Sequence, residues 1–283
     1  MALQVDGEVV SMRRVGAYNL MSVTAPGIPE LTKPGHFVAL SVGGPTSANL
    51  LRRAFSVYKV SERGLYGGTI EIVFAAHGPG TQWMSTLQRG DALNIVGPLG
   101  KPFALPRESV NCLLVGGGYG SAPLTMLADS LQERGCRVDM VLGAATADKL
   151  FAVLESRRTA SSVTVTTDNG SSGVQGRVTD VLDEVVGRTG AEVIYACGPM
   201  GMLAAVAKYA EANALYSQCA VEEAMACGIG VCMTCVLPVI GDDGKTRLVR
   251  SCIEGPVFRG DRVRWDDVHT IPSDAVGAPK VGG

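Results

Sequence analysis

The residues with the clearest chemistry in this 283-residue chain are four cysteines near its C-terminus. Three stand in Cys227-Gly-Ile-Gly-Val-Cys232-Met-Thr-Cys235, and Cys252 follows after a gap. The spacing C-x4-C-x2-C…C suits a 2Fe–2S cluster, which needs four thiolates from a tightly wrapped loop. Gly228 and Gly230 let such a loop turn and bring amide N–H groups near the sulfurs. Met225, Ala226, Ile229 and Val231 would supply an apolar cover. Zinc is the first rival, since four thiolates also hold it tetrahedrally. Structural zinc sites more often set two short cysteine knuckles face to face. Disulfides are the second rival. The chain opens Met1-Ala-Leu-Gln-Val-Asp-Gly-Glu, with neither the basic nor the apolar region of a secretory signal, so a reducing cytoplasmic setting is expected.

Three further motifs could hold a nucleotide. Gly116-Gly117-Gly118-Tyr119-Gly120-Ser121-Ala122-Pro123-Leu124 follows an apolar stretch and opens a helical one. Bare backbone at Gly116, Gly117, Gly118 and Gly120, with Ser121 beside them, would let a pyrophosphate reach a helix N-terminus. The bland reading is a tight strand–helix turn with no ligand. The next strand ends Gly143-Ala144-Ala145, with neither an acid for a ribose hydroxyl nor an Arg pair for a 2′-phosphate, which leans toward NAD over NADP. Cys197-Gly198-Pro199-Met200 also stands at a strand end, where Cys197 could face a nicotinamide or simply fill a small buried space. In Arg53-Ala54-Phe55-Ser56, Arg53 could fork onto a phosphate. Phe55 could pack on a flat ring and Ser56 could hydrogen-bond its edge. Gly78-Pro79-Gly80-Thr81 precedes a short helix and offers further amide donors.

The elements that must position these residues change rhythm along the chain. Up to about residue 105, short strands are expected at 3–12, 18–24, 36–41, 54–60, 69–75 and 93–96. Turns such as Pro26-Gly27, Pro34-Gly35 and Gly43-Gly44-Pro45 separate them, and a short helix is expected at 81–87. That pattern predicts an antiparallel β-barrel. From 106 to 218 strands at 111–115, 138–143, 163–167 and 193–196 alternate with helices at 122–134, 148–156, 178–186 and 200–212. Alternation of this kind predicts an α/β domain with a parallel sheet. Residues 219–270 form a small cysteine-bearing module, and 271–283 read as a disordered tail.

Composition narrows the function. The formal charge is −2, from 25 basic and 27 acidic residues, with no basic block, so nucleic acid is not expected as a partner. No apolar run reaches membrane-spanning length. Charged residues are 18% and the mean hydropathy is +0.21, which hints at apolar surface buried against a cofactor or a second chain.

Barrel, nucleotide fold and 2Fe–2S loop, in that order, resemble the ferredoxin-reductase superfamily. More closely, the chain is similar to the electron-transfer subunits of the two-subunit, NAD-linked dihydroorotate dehydrogenases, up to about Val268. Arg53-Ala54-Phe55-Ser56 matches the flavin motif R-x-[YF]-S, Gly80-Thr81 the phosphate turn, and Gly116–Leu124 the turn G-G-G-x-G-x-A-P-L. Cys197-Gly198-Pro199 matches C-G-P. Glu223 to Cys235, with Cys252 and Gly255-Pro256-Val257, matches the cluster segment. Two positions depart from the family: Phe74-Ala75 stands where a Tyr-Arg pair is common, and Ala145 where an Arg is common. Val73, Phe74 and Ala75 still belong to the implied flavin wall.

The resemblance implies FAD on the barrel, NAD(H) on the α/β domain and a cluster on Cys227, Cys232, Cys235 and Cys252. It also implies an FMN-containing catalytic partner that oxidises dihydroorotate to orotate in pyrimidine biosynthesis, as a heterotetramer. The alternatives are an electron-transfer subunit of a hydrogenase or of a ferredoxin–NADP transhydrogenase, a stand-alone oxygenase reductase, and a zinc-stabilised nucleotide-binding regulator. The all-cysteine ligand set speaks against the transhydrogenase type, whose loop tends to use an Asp. The short cysteine segment speaks against the oxygenase reductase.

Overall fold

The computed structural model describes residues 2–44, 47–62 and 68–279. The N-terminal part forms β1 (Leu3–Val15), β2 (Tyr18–Thr24), β3 (Phe37–Leu40), β4 (Arg53–Ser61), β5 (Thr69–Phe74) and β6 (Ala92–Leu99). These close an antiparallel barrel in the order β1-β2-β5-β4-β3-β6. Alternation explains it: along β6 every second residue is buried, and Leu93 and Ile95 join Met21, Val23, Val38, Ile70 and Ile72 inside. Gly16, at φ 56, makes the tight β1–β2 turn, and a Cβ there would meet Asp148 O at 2.4 Å. Helix α1 (Pro79–Met84) follows β5. Pro45, named above in a turn, lies outside the described residues.

The second part alternates β7 (Asn111–Gly117), α2 (Ala122–Gln132), β8 (Arg137–Ala144), α3 (Val153–Thr159), β9 (Ser162–Thr167), β10 (Val174–Gln175), α4 (Leu182–Thr189), β11 (Val193–Cys197), α5 (Met200–Ala212) and β12 (Tyr216–Ala220). Sheet order is β10-β9-β8-β7-β11-β12, parallel throughout. The chain winds outward on both sides of β7, so a crevice opens at the carboxyl ends of β7 and β11. The cysteine segment carries the hairpin β13 (Val236–Ile240) and β14 (Thr246–Arg250), then β15 (Val257–Arg259). β15 adds to the edge of the large sheet, antiparallel to β12. β12 itself runs across residue 218, where the nucleotide domain was expected to end.

The two halves meet through Tyr18, Leu20, Tyr58, Val73, Ala122, Phe151 and Ala152. The Tyr18 hydroxyl donates to Lys149 O at 2.8 Å and Ala17 N–H to Asp148 O at 2.9 Å. This contact explains one difference from the sequence reading. The helix expected at 148–156 is a 3-10 turn over Ala147–Lys149, an extended Leu150, a left-handed Ala152 (φ 58) and only then α3. Phe151 sets its ring edge-on to Tyr18 and Tyr58, and that burial overrides helix continuity.

The stretch from 271, read above as a disordered tail, makes contacts with the cluster module. Asp274 pairs with Arg264 at 2.5 Å, Ala275 is buried, and Val276 N–H donates to Thr246 O at 2.8 Å. Residues 280–283 lie outside the described residues.

Candidate redox site

Two cavities lie at the seam between barrel and sheet. The first, of ≈ 350 Å³, is walled by Arg53, Ala54, Phe55 and Ser56 of β4, by Val73, Phe74 and Ala75 at the end of β5, and by Gly80 and Thr81 of α1. Across it stand Gly120, Cys197 and Gly198, with Glu222, Glu223 and Met225 beyond β12. The second, of ≈ 510 Å³, lies over the carboxyl ends of β7, β8, β9 and β11. Its wall includes Gly117, Gly118, Gly120, Gly143, Thr166, Asp168, Arg177 and Pro199. Tyr119, Gly120 and Glu222 belong to both, so one thin wall separates the two spaces. Tyr119 spans it, its hydroxyl donating to Glu222 Oε1 at 3.1 Å. Burial, with Glu222 beside it, pushes the Tyr119 phenol up, so it stays a donor.

The β5–α1 turn is built to present backbone. The Thr81 hydroxyl accepts N–H from His77 at 3.0 Å and Gly78 at 3.1 Å, which fixes the turn. Gly80 is needed because a Cβ would press on Val42 and on the Arg53 guanidinium at 3.3 Å. Arg53 Nη1 donates to Leu51 O at 2.7 Å. Neighbouring Arg52 turns away and binds Ala39 O and Asn94 O, so it braces β3 against β6.

Not every expected residue reaches a cavity. Gly116 and Ser121 line neither. The Ser121 hydroxyl donates to Gly118 O at 2.7 Å, and a Cβ on Gly116 would strike Ser121 at 2.6 Å, so this pair tightens the turn from within. Burial pushes the Cys197 thiol up to about 12, which keeps it neutral. The sequence reading passed over Glu222 and named Tyr119 and Glu223 only inside longer motifs, with no role of their own. The pair of acids directly after β12 was the available signal, since ligands in open α/β sheets collect at strand carboxyl ends. The second cavity also has Asp168, at the end of β9, and Lys149 and Arg177, where the sequence reading looked only after β8.

The cysteine loop packs beneath the first cavity. Cys235 and Cys252 are buried in one cluster with Phe37, Ala39 and Leu99 of the barrel, and Met225 packs against it. Phe37 and Met225 also line the first cavity. Gly228 (φ 71) and Gly230 (φ 82) turn the loop, and a Cβ on Gly230 would strike Ile253 at 2.5 Å. The N–H groups of Val231 and Cys232 donate to Cys227 Sγ at 3.4 and 3.5 Å.

Cys232 interacts with Cys227, and Cys252 with Cys235 and Cys227, so the four thiols lie in one neighbourhood. Among the described residues no three His, Cys, Asp or Glu side chains gather as closely as one ion requires. A two-iron cluster takes four thiolates in all, which is the number this loop and Cys252 bring together. Hydrogen bonds from Thr234 and Cys227 draw the exposed Cys232 thiol down to about 6, while burial pushes Cys252 up to about 12. The expected apolar cover is only half a cover. Met225 faces inward, but Ile229, Met233 and above all Val231, 75% exposed, lie at the surface.

Comparison with known proteins agrees with this geometry. Residues 222–264 match the iron-sulfur cluster binding domain of dihydroorotate dehydrogenase B, and residues 114–208 an oxidoreductase NAD-binding domain. The dihydroorotate dehydrogenase B (NAD(+)) electron transfer subunit of Geobacillus kaustophilus is 37% identical over 260 residues, covering 90% of this chain and 96% of that one. The subunit of the same name from Desulforamulus reducens is 32% identical, covering 87% and 92%. Among solved structures, an NADH-dependent reduced ferredoxin–NADP oxidoreductase studied for flavin-based electron bifurcation superposes with a TM-score of 0.80. It is 29% identical and covers 93% of this chain and 91% of that one. A ferredoxin NADP+ reductase from Neisseria gonorrhoeae, at 17% identity and a TM-score of 0.59 over 72% and 89%, shares the fold. Among the described residues no helix is long and apolar enough to cross a membrane. With more than a third of its residues shared along nearly the whole length of such a relative, the chain belongs to the family of dihydroorotate dehydrogenase B electron transfer subunits.

Proposed function

We propose that this chain holds FAD in the first cavity, NAD(H) in the second and a 2Fe–2S cluster on Cys227, Cys232, Cys235 and Cys252. It passes electrons between NAD and an FMN-containing catalytic subunit that oxidises dihydroorotate to orotate. The carrying observation is adjacency: the two cavities share Tyr119, Gly120 and Glu222, and Phe37 and Met225 join the first cavity to Cys235 and Cys252. A flavin in that position supplies the exchange between hydride and single electrons.

The division of labour follows the elements. Residues 1–105 form the flavin domain, 106–218 the nucleotide domain and 219–270 the cluster module, with β15 tying the last two together. Arg53 and the Gly80–Thr81 turn hold the flavin phosphates, and Phe55 and Ser56 meet its ring. Gly117, Gly118 and Gly120 admit the pyrophosphate of NAD, with Cys197, Gly198 and Pro199 beside the nicotinamide. Gly116 and Ser121 shape that turn. The exposed Ile229, Val231 and Met233 form part of the docking face through which electrons leave. The partner is the FMN subunit, in a symmetric pair of heterodimers. The compartment is the cytoplasm, whose reducing conditions keep cluster-ligating thiolates from forming disulfides.

Arg53→Ala tests the flavin placement. Loss of a charged phosphate contact is expected to weaken FAD binding by about 1.5–3 kcal/mol, read by flavin titration of the apoprotein. Unchanged affinity would remove Arg53 from the site.

Reconstitution tests the whole reading. Alone, the chain is expected to oxidise NADH with artificial acceptors and leave dihydroorotate untouched. Mixed with the FMN subunit, it is expected to confer NAD+-dependent orotate formation. Dihydroorotate oxidation by the chain alone, or no gain on mixing, would refute the assignment. A second reading, a subunit of a ferredoxin–NADP oxidoreductase, is favoured by the 29% identical structure. It predicts no gain on mixing, and ferredoxin-linked turnover instead.

A further inference from the structure

Among the described residues three buried side-chain oxygens lack a hydrogen-bond partner: Ser156 Oγ, Thr166 Oγ1 and Glu223 Oε1. Only Glu223 bears an ionisable group. It lines the first cavity, and its side chain is 3% exposed. Its other oxygen, Oε2, lies 3.3 Å from His269 Nε2, and the His269 side chain is 76% exposed. One carboxyl group therefore connects the cavity wall to a surface imidazole. A buried carboxyl oxygen without a protein partner is costly, so it is open to a group or a proton in the cavity.

We propose that Glu223 and His269 form a proton relay between the first cavity and solvent, an inference that rests on the electron-transfer reading above. The need for a relay follows from balance. NADH and two oxidised one-electron acceptors give NAD+, two reduced acceptors and one H+. Hydride brings two electrons and a proton into the cavity, whereas the cysteine loop exports electrons alone. One proton per hydride must leave, and one must enter in the reverse direction. Glu223 takes that proton on the unpartnered oxygen, a proton passes from the carboxyl to His269 Nε2, and His269 releases it to water.

The other charged or titratable groups lining the cavity are Arg53, His77, Tyr119, Cys197 and Glu222. Arg53 has no site that accepts a proton. Burial keeps Tyr119 and Cys197 protonated, so neither can take one up. Glu222 is engaged by the Tyr119 hydroxyl. His77 is exposed in the turn before α1, and it is the competing route that the test must separate.

The experiment compares holoprotein of wild type, Glu223→Gln, His269→Ala and His77→Ala. Flavin, iron and sulfide content and bleaching by NADH are measured first. A wild type that lacks these cofactors or does not bleach would sink the electron-transfer reading and not the relay alone. Reoxidation of the NADH-reduced protein by ferricyanide is then followed by stopped flow. Glu223→Gln is expected to slow reoxidation at least about tenfold more than it slows bleaching. His269→Ala, a surface change that spares the core, should slow reoxidation and recover with added imidazole.

At equilibrium, without turnover, the oxidised-minus-reduced infrared spectrum should carry a protonated-carboxyl band that Glu223→Gln removes. Wild-type reoxidation in Glu223→Gln, absence of that band, or imidazole rescue in His77→Ala but not in His269→Ala would overturn the relay.

Discussion

Replacing Cys252 by serine is expected to strip iron and acid-labile sulfide from the protein while both cavities keep their shape. Serine would offer a harder oxygen at the position proposed to give iron a soft thiolate. The position cannot adapt. Cys252 is fully buried beside Phe37, Ala39 and Leu99, and the adjacent Ser251 is pinned by its N–H and hydroxyl to Cys235 O at 2.9 and 2.8 Å. Cys112→Ser and Cys136→Ser are the controls. Both residues are buried in the core that packs α2 against the sheet, a different core from that of Cys235 and Cys252, and they should leave the cluster unchanged. Metal analysis and the reduced-state EPR spectrum read the result. An unchanged spectrum in Cys252→Ser would show that another residue is the fourth ligand, and zinc in place of iron in the wild type would end the cluster assignment.

How much of this site was legible beforehand follows from the range of each interaction. The cysteine loop depends on spacing and two local turns, so Cys227 to Cys235 announce themselves. The barrel and the alternating domain rest on period and punctuation, which are also local. Glu223 was not legible as a separate feature. Its meaning comes from where β12 ends relative to β4 and from a histidine 46 residues away, and no periodic signal encodes that. The helix placed at 148–156 failed for a related reason. Nothing in Ala147–Leu150 says that Phe151 will be drawn onto Tyr18 and Tyr58 of the barrel. Ser121 lay within the motif read as the nucleotide turn, yet its hydroxyl turned inward to Gly118 O. A motif fixes the backbone path more firmly than it fixes the direction of each side chain.

Gly120→Ala is expected to damage hydride exchange severely. Gly120 lies in the wall common to both cavities. A Cβ there would stand 2.6 Å from Gly198 Cα, 3.0 Å from Gly198 N and 3.2 Å from Cys197 O. All three atoms are backbone, so no side chain can swing aside. The β7–α2 turn must move away from the β11–α5 turn. Overpacking of this kind costs about 1–3 kcal/mol of stability. The functional loss should be larger, because the same shift changes the registry of two ligands that must exchange hydride. Misplacement by about 1 Å costs on the order of 100-fold in rate.

Bleaching of bound flavin by NADH should therefore slow by roughly two orders of magnitude, while iron content and cluster absorption persist. Gly187→Ala is the matching control. It lies in α4, a Cβ there meets nothing within 4 Å, and alanine should stabilise that helix by about 0.5–1 kcal/mol. If Gly120→Ala bleached at the wild-type rate, the shared wall at Tyr119, Gly120 and Glu222 would not be where the two nucleotides meet, and the placement of NAD(H) over β7 and β11 would have to be abandoned.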